Sequence, residues 1–107
     1  MEIKVLDGSI KTSEAQYAYI VDKVGAAMAR LQDVSCTVDV RLTDLNGPKG
    51  GIDKQVSIAV TPPGHSMLRV EETAVDYYAA IDAASATMKR LLAKTLERAK
   101  ANGPRSA

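Results

Sequence analysis

The chain has no tryptophan and no phenylalanine, one cysteine (Cys36) and one histidine (His65). A single cysteine excludes an internal disulfide, and one histidine beside it leaves no plausible zinc site, so no bound metal is expected. Cys36 alternates with apolar neighbours and reads as a small buried hydrophobe. His65 stands at the tip of a Pro-Pro-Gly turn with no nucleophile or carboxylate motif beside it. No nucleophile–base pair can be assembled from these residues, so no catalytic residue, cofactor or small-molecule substrate is expected. Long apolar runs are missing as well. The longest span only a few residues, far short of the roughly 20 that a membrane helix needs. The N-terminus MEIKVLDGSIK lacks the apolar segment of a secretory signal. A cytoplasmic protein without a membrane partner fits these absences.

What remains is enough for a modest fold. The 107 residues are 46% apolar, which argues against disorder and for one domain. Aliphatic residues, methionine and four tyrosines must build its interior. Ile3 and Val5 alternate with Glu2 and Lys4, a short first strand that ends at Asp7-Gly8. Ser13 with Gln16 three residues on is a capping-box pattern that opens a helix. Ile20, Val24, Ala27, Met28 and Leu31 share one face of it, and it is expected to end near Gln32-Asp33. Gly25 lies inside this helix and suggests a close approach by a neighbouring helix.

Residues 34–43 alternate apolar and polar, a half-buried second strand. A third strand carries Val56, Ile58 and Val60, and a fourth Leu68 and Val70. Asp76 is a good N-cap for a last helix running to Lys100, and Asn102-Gly103-Pro104 stops it. Residues 1–101 thus form a single α+β domain of order β-α-β-β-β-α, with 102–107 as a flexible tail. Short connections make the last three strands an antiparallel meander, and the helical crossover pairs the first strand in parallel with the second. The economical arrangement is a four-stranded mixed sheet with both helices on one face and the other face wet.

A net charge of +1 conceals an uneven distribution. Residues 87–107 hold six cations and one anion, whereas residues 1–86 hold eight cations and twelve anions. Along the last helix Arg90, Lys94 and Arg98 form one ridge, and Lys89 and Lys100 a second on the same half of the cylinder. Tyr77, Tyr78, Ile81, Ala84, Met88, Leu91, Leu92, Leu96 and Ala99 take the opposite arc. Two readings follow: a solvated face whose late cations suit the helix dipole, or a surface for a polyanion. Within the Gly-rich segment NGPKGGIDK, Lys49 and Lys54 flank a glycine-containing loop, which reads either as a flexible hairpin connection or as backbone that approaches phosphate. It lacks the spacing and the Lys-Ser/Thr pair of a P-loop.

The segment DYYAAID, residues 76–82, followed by Met88, Arg90, Leu92 and Lys94, resembles the signature of the ribosome hibernation-promoting factors. These are also called ribosome-associated inhibitors or ribosomal subunit interface proteins. Ile3, Val5, Gly8, Ile10, Ser13-Glu14-Ala15, Tyr19-Ile20 and Lys23 fit in register, and residues 46–54 look like those of short members. The resemblance covers about residues 1–100. It implies a β-α-β-β-β-α fold like a double-stranded-RNA-binding domain. It also implies binding to the small ribosomal subunit between head and body, where tRNA and mRNA would lie, with silencing of idle ribosomes under stress. The implied partners are small-subunit RNA and ribosomal proteins.

Lys23, Arg90 and Lys94 match family basic positions. Arg98 and Lys100 extend the stripe, and Lys89, Lys49 and Lys54 join the candidate RNA contacts. Arg30, seven residues after Lys23, and Tyr19, one turn before it, are added from helical geometry. The chain departs from the family at Ala26 and Thr87, where lysine is common, and at Leu91, where a polar residue is usual. Members that pair ribosomes through an extra C-terminal domain are much longer, so that activity is not expected without a second protein. The alternative reading is a protein-interaction module of the same fold, such as a sigma-factor modulator, that does not bind the ribosome.

Overall fold

Four strands and two long helices are found among residues 1–7, 11–46 and 52–102, which a computed structural model of the protein describes. Strand β1 (Glu2–Asp7) is followed by helix α1 (Glu14–Ala27) and a 3-10 turn (Ala29–Leu31). Strands β2 (Thr37–Asp44), β3 (Lys54–Val60) and β4 (Leu68–Ala74) lead to helix α2 (Tyr77–Asn102). The sheet order is β1-β2-β3-β4, with β1 parallel to β2 and the other pairs antiparallel. This is the α+β architecture expected from the sequence.

Register explains the layering. Val40 on β2, Ile58 on β3 and Val70 on β4 lie side by side, as do Leu42 and Val56 one pleat away. With a period of two, these residues share one face. Val38, Val40, Leu42, Val56 and Ile58 are fully buried there. Both helices cover that face with Ile20, Val24 and Met28 from the first and Ala80, Ile81, Ala84, Met88 and Leu92 from the second. Truncating Ile58 or Ile81 to alanine in such a core costs about 2–5 kcal/mol.

Helix starts follow local chemistry. Ser13 Oγ accepts from the Gln16 N–H at 3.1 Å, and Gln16 Oε1 accepts from the Ser13 N–H at 3.0 Å, a complete capping box. Asp76 Oδ1 accepts from the Ala79 N–H at 2.8 Å at the start of α2. The end of α1 differs from the expectation near residues 32–33. It stops at Ala27, and Met28 leads into the 3-10 turn. At three residues per turn, Leu31 stacks over Met28. Both are then buried, at 3% and 0% exposure.

Each helix follows an upward strand and runs back along it, so α1 and α2 point the same way and their C-terminal ends share one edge of the layer. The last buried side chain of α2 among the described residues is Leu92, yet the helix continues to Asn102. At 1.5 Å per residue its final turns reach about 15 Å further. At the turn before β4, the His65 N–H donates to Pro62 O at 2.9 Å and Gly64 has φ +80°. Pro63 and Gly64 occupy the central positions of a type II turn, the second of which requires positive φ. Gly25 has a neighbour other than the expected helix: an added Cβ would meet Ile3 Cδ1 on β1 at 3.9 Å, an ordinary contact. Residues 103–107 and 47–51, with Lys49, lie outside the described residues, as does the Lys100 side chain.

Candidate nucleic-acid interface

The phase of α2 is fixed by two contacts. Tyr78 packs against Tyr19 of α1, with ring centroids 5.0 Å apart at 82°, so that side of α2 faces α1. Thr87 donates from its hydroxyl to Glu72 Oε2 on β4 at 2.9 Å, so the other side faces the β4 edge. With about 100° per residue, Lys89 falls on the α1 flank, and Arg90, Lys94 and Arg98 fall on the β4 flank. Ala86, Ala93 and the exposed anion Glu97 lie between them on the crest. The two predicted ridges are therefore separate flanks of one outward half-cylinder, divided by two alanines and one carboxylate, Glu97.

Lys23, Arg30, Lys89, Arg90, Lys94 and Arg98 are all exposed. None forms an ion pair with a described carboxylate. Lys23 Nζ lies 5.5 Å from the centroid of the Tyr19 ring, a cation–π arrangement that holds the ammonium beside the interhelical groove. Arg90 donates from Nη2 to Thr87 Oγ1 at 3.3 Å, which leaves the rest of its guanidinium directed to solvent. Arg30 does not continue the line of Lys23 by seven-residue spacing, because α1 ends at Ala27 and the 3-10 turn changes the rotation. It reaches the same end of the layer as Lys94 and Arg98 because the two helices run in the same direction.

Lys54 is differently placed. Its ammonium lies 3.1 Å from Asp44 Oδ2 and 3.2 Å from Asp53 Oδ1. Asp53 is fully buried, and neither of its oxygens has a well-aligned hydrogen-bond donor. The Lys54 contact is thus mainly electrostatic compensation for a carboxylate out of water. The bond to Asp44 raises the Lys54 pKa above its ordinary value. With two carboxylates on it, Lys54 is poorly placed to meet a phosphate and serves the β2–β3 hairpin.

Contacts invisible in the sequence complete the surface. The Tyr19 hydroxyl donates to Asp82 Oδ1 at 2.7 Å, which raises the tyrosine's pKa. This bond joins α1 to α2 beside Lys23. Asp82, an anion in the early part of α2, thus takes a phenol of α1 as its partner. Thr87 and Leu91, two departures from the family pattern, are both half-buried, Thr87 against Glu72 and Leu91 against the core. Burial of Tyr77 raises its pKa, in keeping with a core role for that ring. Among the described residues no group of three or more His, Cys, Asp or Glu side chains could hold a metal. No described helix is long and apolar enough to cross a membrane.

Comparison with known proteins agrees with this fold. The family model described as sigma 54 modulation protein / S30EA ribosomal protein matches residues 3–100. The chloroplastic ribosome-binding factor PSRP1 of Spinacia oleracea is 28% identical over 102 residues, covering 92% of this chain but 34% of that protein. The chain thus spans about a third of that relative's length. The N-terminal domain of Thermus thermophilus Protein Y superposes with a TM-score of 0.72 at 29% identity, covering 89% of this chain and 99% of that one. A ribosomal subunit interface protein from Coxiella burnetii shares the fold, with a TM-score of 0.71 at 19% identity over 91% of this chain and 99% of that one. The names of the Spinacia and Coxiella proteins both refer to the ribosome. With its match running over nearly the whole domain, the chain belongs to the sigma 54 modulation protein / S30EA ribosomal protein family.

Proposed function

We propose that the protein binds the small ribosomal subunit through the basic flanks of its helices and occludes the path of tRNA and mRNA, silencing idle ribosomes in the cytoplasm. One observation carries the reading: six exposed cations on the helical layer have no described carboxylate paired to them. Unpaired surface cations release condensed counterions when they meet phosphate, and that release supplies most sequence-independent affinity for RNA. A helical layer backed by a rigid sheet presents these charges as a preformed array, so little ordering is needed on binding. PSRP1 is named a ribosome-binding factor, and the same surface chemistry suits that role here. Small-subunit RNA is the proposed partner, with ribosomal proteins at its margins.

The test is co-sedimentation with purified small subunits across a salt series. Binding should be strong at low salt and fall linearly on a log–log plot. Reversing Arg90 and Lys94 to glutamate should abolish it while the circular dichroism spectrum stays native. Retention of full binding by that double variant would show that the β4 flank is not the contact surface.

A second reading has one observation in its favour. The outward arc of α1 carries Glu14, Ala15, Ala18, Asp22 and Ala26, all exposed and without a cation among them. A surface basic on one helix and acidic on the other also suits a protein partner, in line with the sigma-54 half of the family description. Affinity capture with and without ribonuclease separates the two: loss of the partners on ribonuclease treatment supports the ribosomal reading.

A further inference from the structure

The open face of the sheet takes no part in the helical surface, and its charges are arranged in register. Across β2, β3 and β4, one row reads Asp39–Ala59–Arg69 and the next Arg41–Ser57–Glu71. The signs alternate along β2 and along β4 and are opposite between these two strands. Small residues fill the centre line on β3. Two shallow depressions of about 180 and 240 Å³ lie over this region and share Asp39, Ala59 and Met67. Met67 itself is 61% exposed.

From this pattern we infer that the open sheet face is a self-association surface, whose partner is a second copy of the chain. A two-fold axis parallel to β3, above Ser57 and Ala59, exchanges β2 with β4. Asp39 of one copy then faces Arg69 of the other, and Arg41 faces Glu71, each contact occurring twice by symmetry. Met67, next in line before Arg69, comes over Thr37 of the second copy, which lines one of the two depressions. No like charges meet across the axis. The Arg69–Glu71 pair within one chain, at 3.5 Å and about half exposed, is too solvated to compete strongly.

Charge also selects the occupant. The face carries Glu2, Asp39 and Glu71 against Lys4, Arg41 and Arg69, a balance that disfavours a polyanion and suits a copy of itself. Three strands about 4.8 Å apart and seven residues long at about 3.3 Å each cover roughly 330 Å² per copy. Both copies together bury less than the roughly 1,200 Å² of a stable complex, so the dimer is weak and exchanges rapidly. Both helical layers remain on the outside, so this association stands independently of the ribosomal reading.

Sedimentation equilibrium on the full chain, from about 10 μM to about 1 mM, tests it in the range expected for so small an interface. The native chain should show a concentration-dependent monomer–dimer equilibrium that weakens with salt. Asp39→Arg alone and Arg69→Asp alone should each raise the dissociation constant at least about tenfold, since each sets like charges in contact twice. An equimolar mixture of the two variants should form dimers again, because each then supplies the charge the other lacks. Circular dichroism of each variant confirms the fold. A monomer at every concentration, or variants that dimerise like the native chain, would overturn the inference. So would a mixture that stays monomeric.

Discussion

Tyr19 on α1 donates its phenolic hydrogen to Asp82 on α2 across 2.7 Å, and the same ring carries Lys23 on one side and the edge contact with Tyr78. One side chain therefore fixes the spacing of the helices and the position of a candidate RNA-binding cation. Tyrosine is neutral when protonated, and the carboxylate bond lifts its folded pKa above the ordinary 10.0. The native state thus holds its proton more tightly than the unfolded chain. That stability is fully present below about pH 10 and disappears as pH rises through the folded value. Tyr77, through burial, and Lys54, through Asp44, shift in the same direction. Urea denaturation at several pH values should show a plateau to about pH 9 and a decline above about pH 10. Tyr19→Phe should lower stability at neutral pH and make the alkaline decline shallower. An unaltered decline would mean that the hydroxyl–carboxylate bond does not persist in solution.

Lys54 and Asp53 should behave as a coupled pair. Removing the ammonium by Lys54→Met leaves a fully buried carboxylate with no counter-charge, among the more damaging single changes available to a small domain. Asp53→Asn in the same chain removes that burden and should restore part of the loss. A double-mutant cycle read by chemical denaturation measures the coupling. Additive effects would show that the contact at 3.2 Å contributes nothing. Small-subunit binding by the folded fraction of Lys54→Met should equal that of the native chain, because two carboxylates already hold this cation.

Most of the layering was legible in the sequence, and for a definite reason. A period of two in residues 34–43 and the alternation around Ile58 dictate one apolar face per strand. The capping box at Ser13 and the cap at Asp76 are local signals, readable without tertiary knowledge. What could not be read depends on how elements sit against one another. The end of α1 was misplaced because Arg30 to Gln32 are ordinary helix formers, and only the burial of Leu31 beside Met28 favours the tighter turn. Tyr19 and Asp82 are 63 residues apart, and nothing in either segment marks the other as its partner. The cations Arg90, Lys94 and Arg98 were legible as a ridge; that this ridge borders β4 needed Thr87 and Glu72.

The two central glycines of the described chain should respond to alanine with opposite signs. At Gly25 the backbone is helical, and an added methyl finds Ile3 Cδ1 at an ordinary 3.9 Å. Gly25→Ala should therefore stabilise by about 0.5–1 kcal/mol, through the lost freedom of the unfolded chain. At Gly64 space is open, with nothing within 4 Å, but φ is +80°. Gly64→Ala should destabilise by about 1–2 kcal/mol for backbone reasons alone. In a domain this size, about 1 kcal/mol moves Tm by roughly 4–8 °C, well within calorimetric resolution. Two shifts of the same sign would refute the assignment of one effect to helix propensity and the other to turn geometry.

A graded alanine series can decide which flank of α2 meets RNA. Arg90, Lys94 and Arg98 border β4, whereas Lys89 and Lys23 border the groove between the helices. A cation that touches phosphate contributes about 0.7–0.9 to the slope of log K against log salt, single strands giving the lower figure. A cation that merely faces solvent contributes through the general field, which 0.15 M salt screens beyond about 8 Å. Substituting each of the five separately, and Arg69 on the open sheet face as a control, sorts contacting from bystander charges by slope rather than by affinity. The three β4-flank variants should each flatten the slope by nearly one phosphate, and Arg69→Ala should leave it unchanged. If Lys23 and Lys89 flatten it instead, RNA lies along the interhelical groove, where Tyr19 and the 41%-exposed Tyr78 ring would stand beside its bases. If Arg69→Ala flattens it as much as Arg90→Ala, the helical layer is not the binding surface at all.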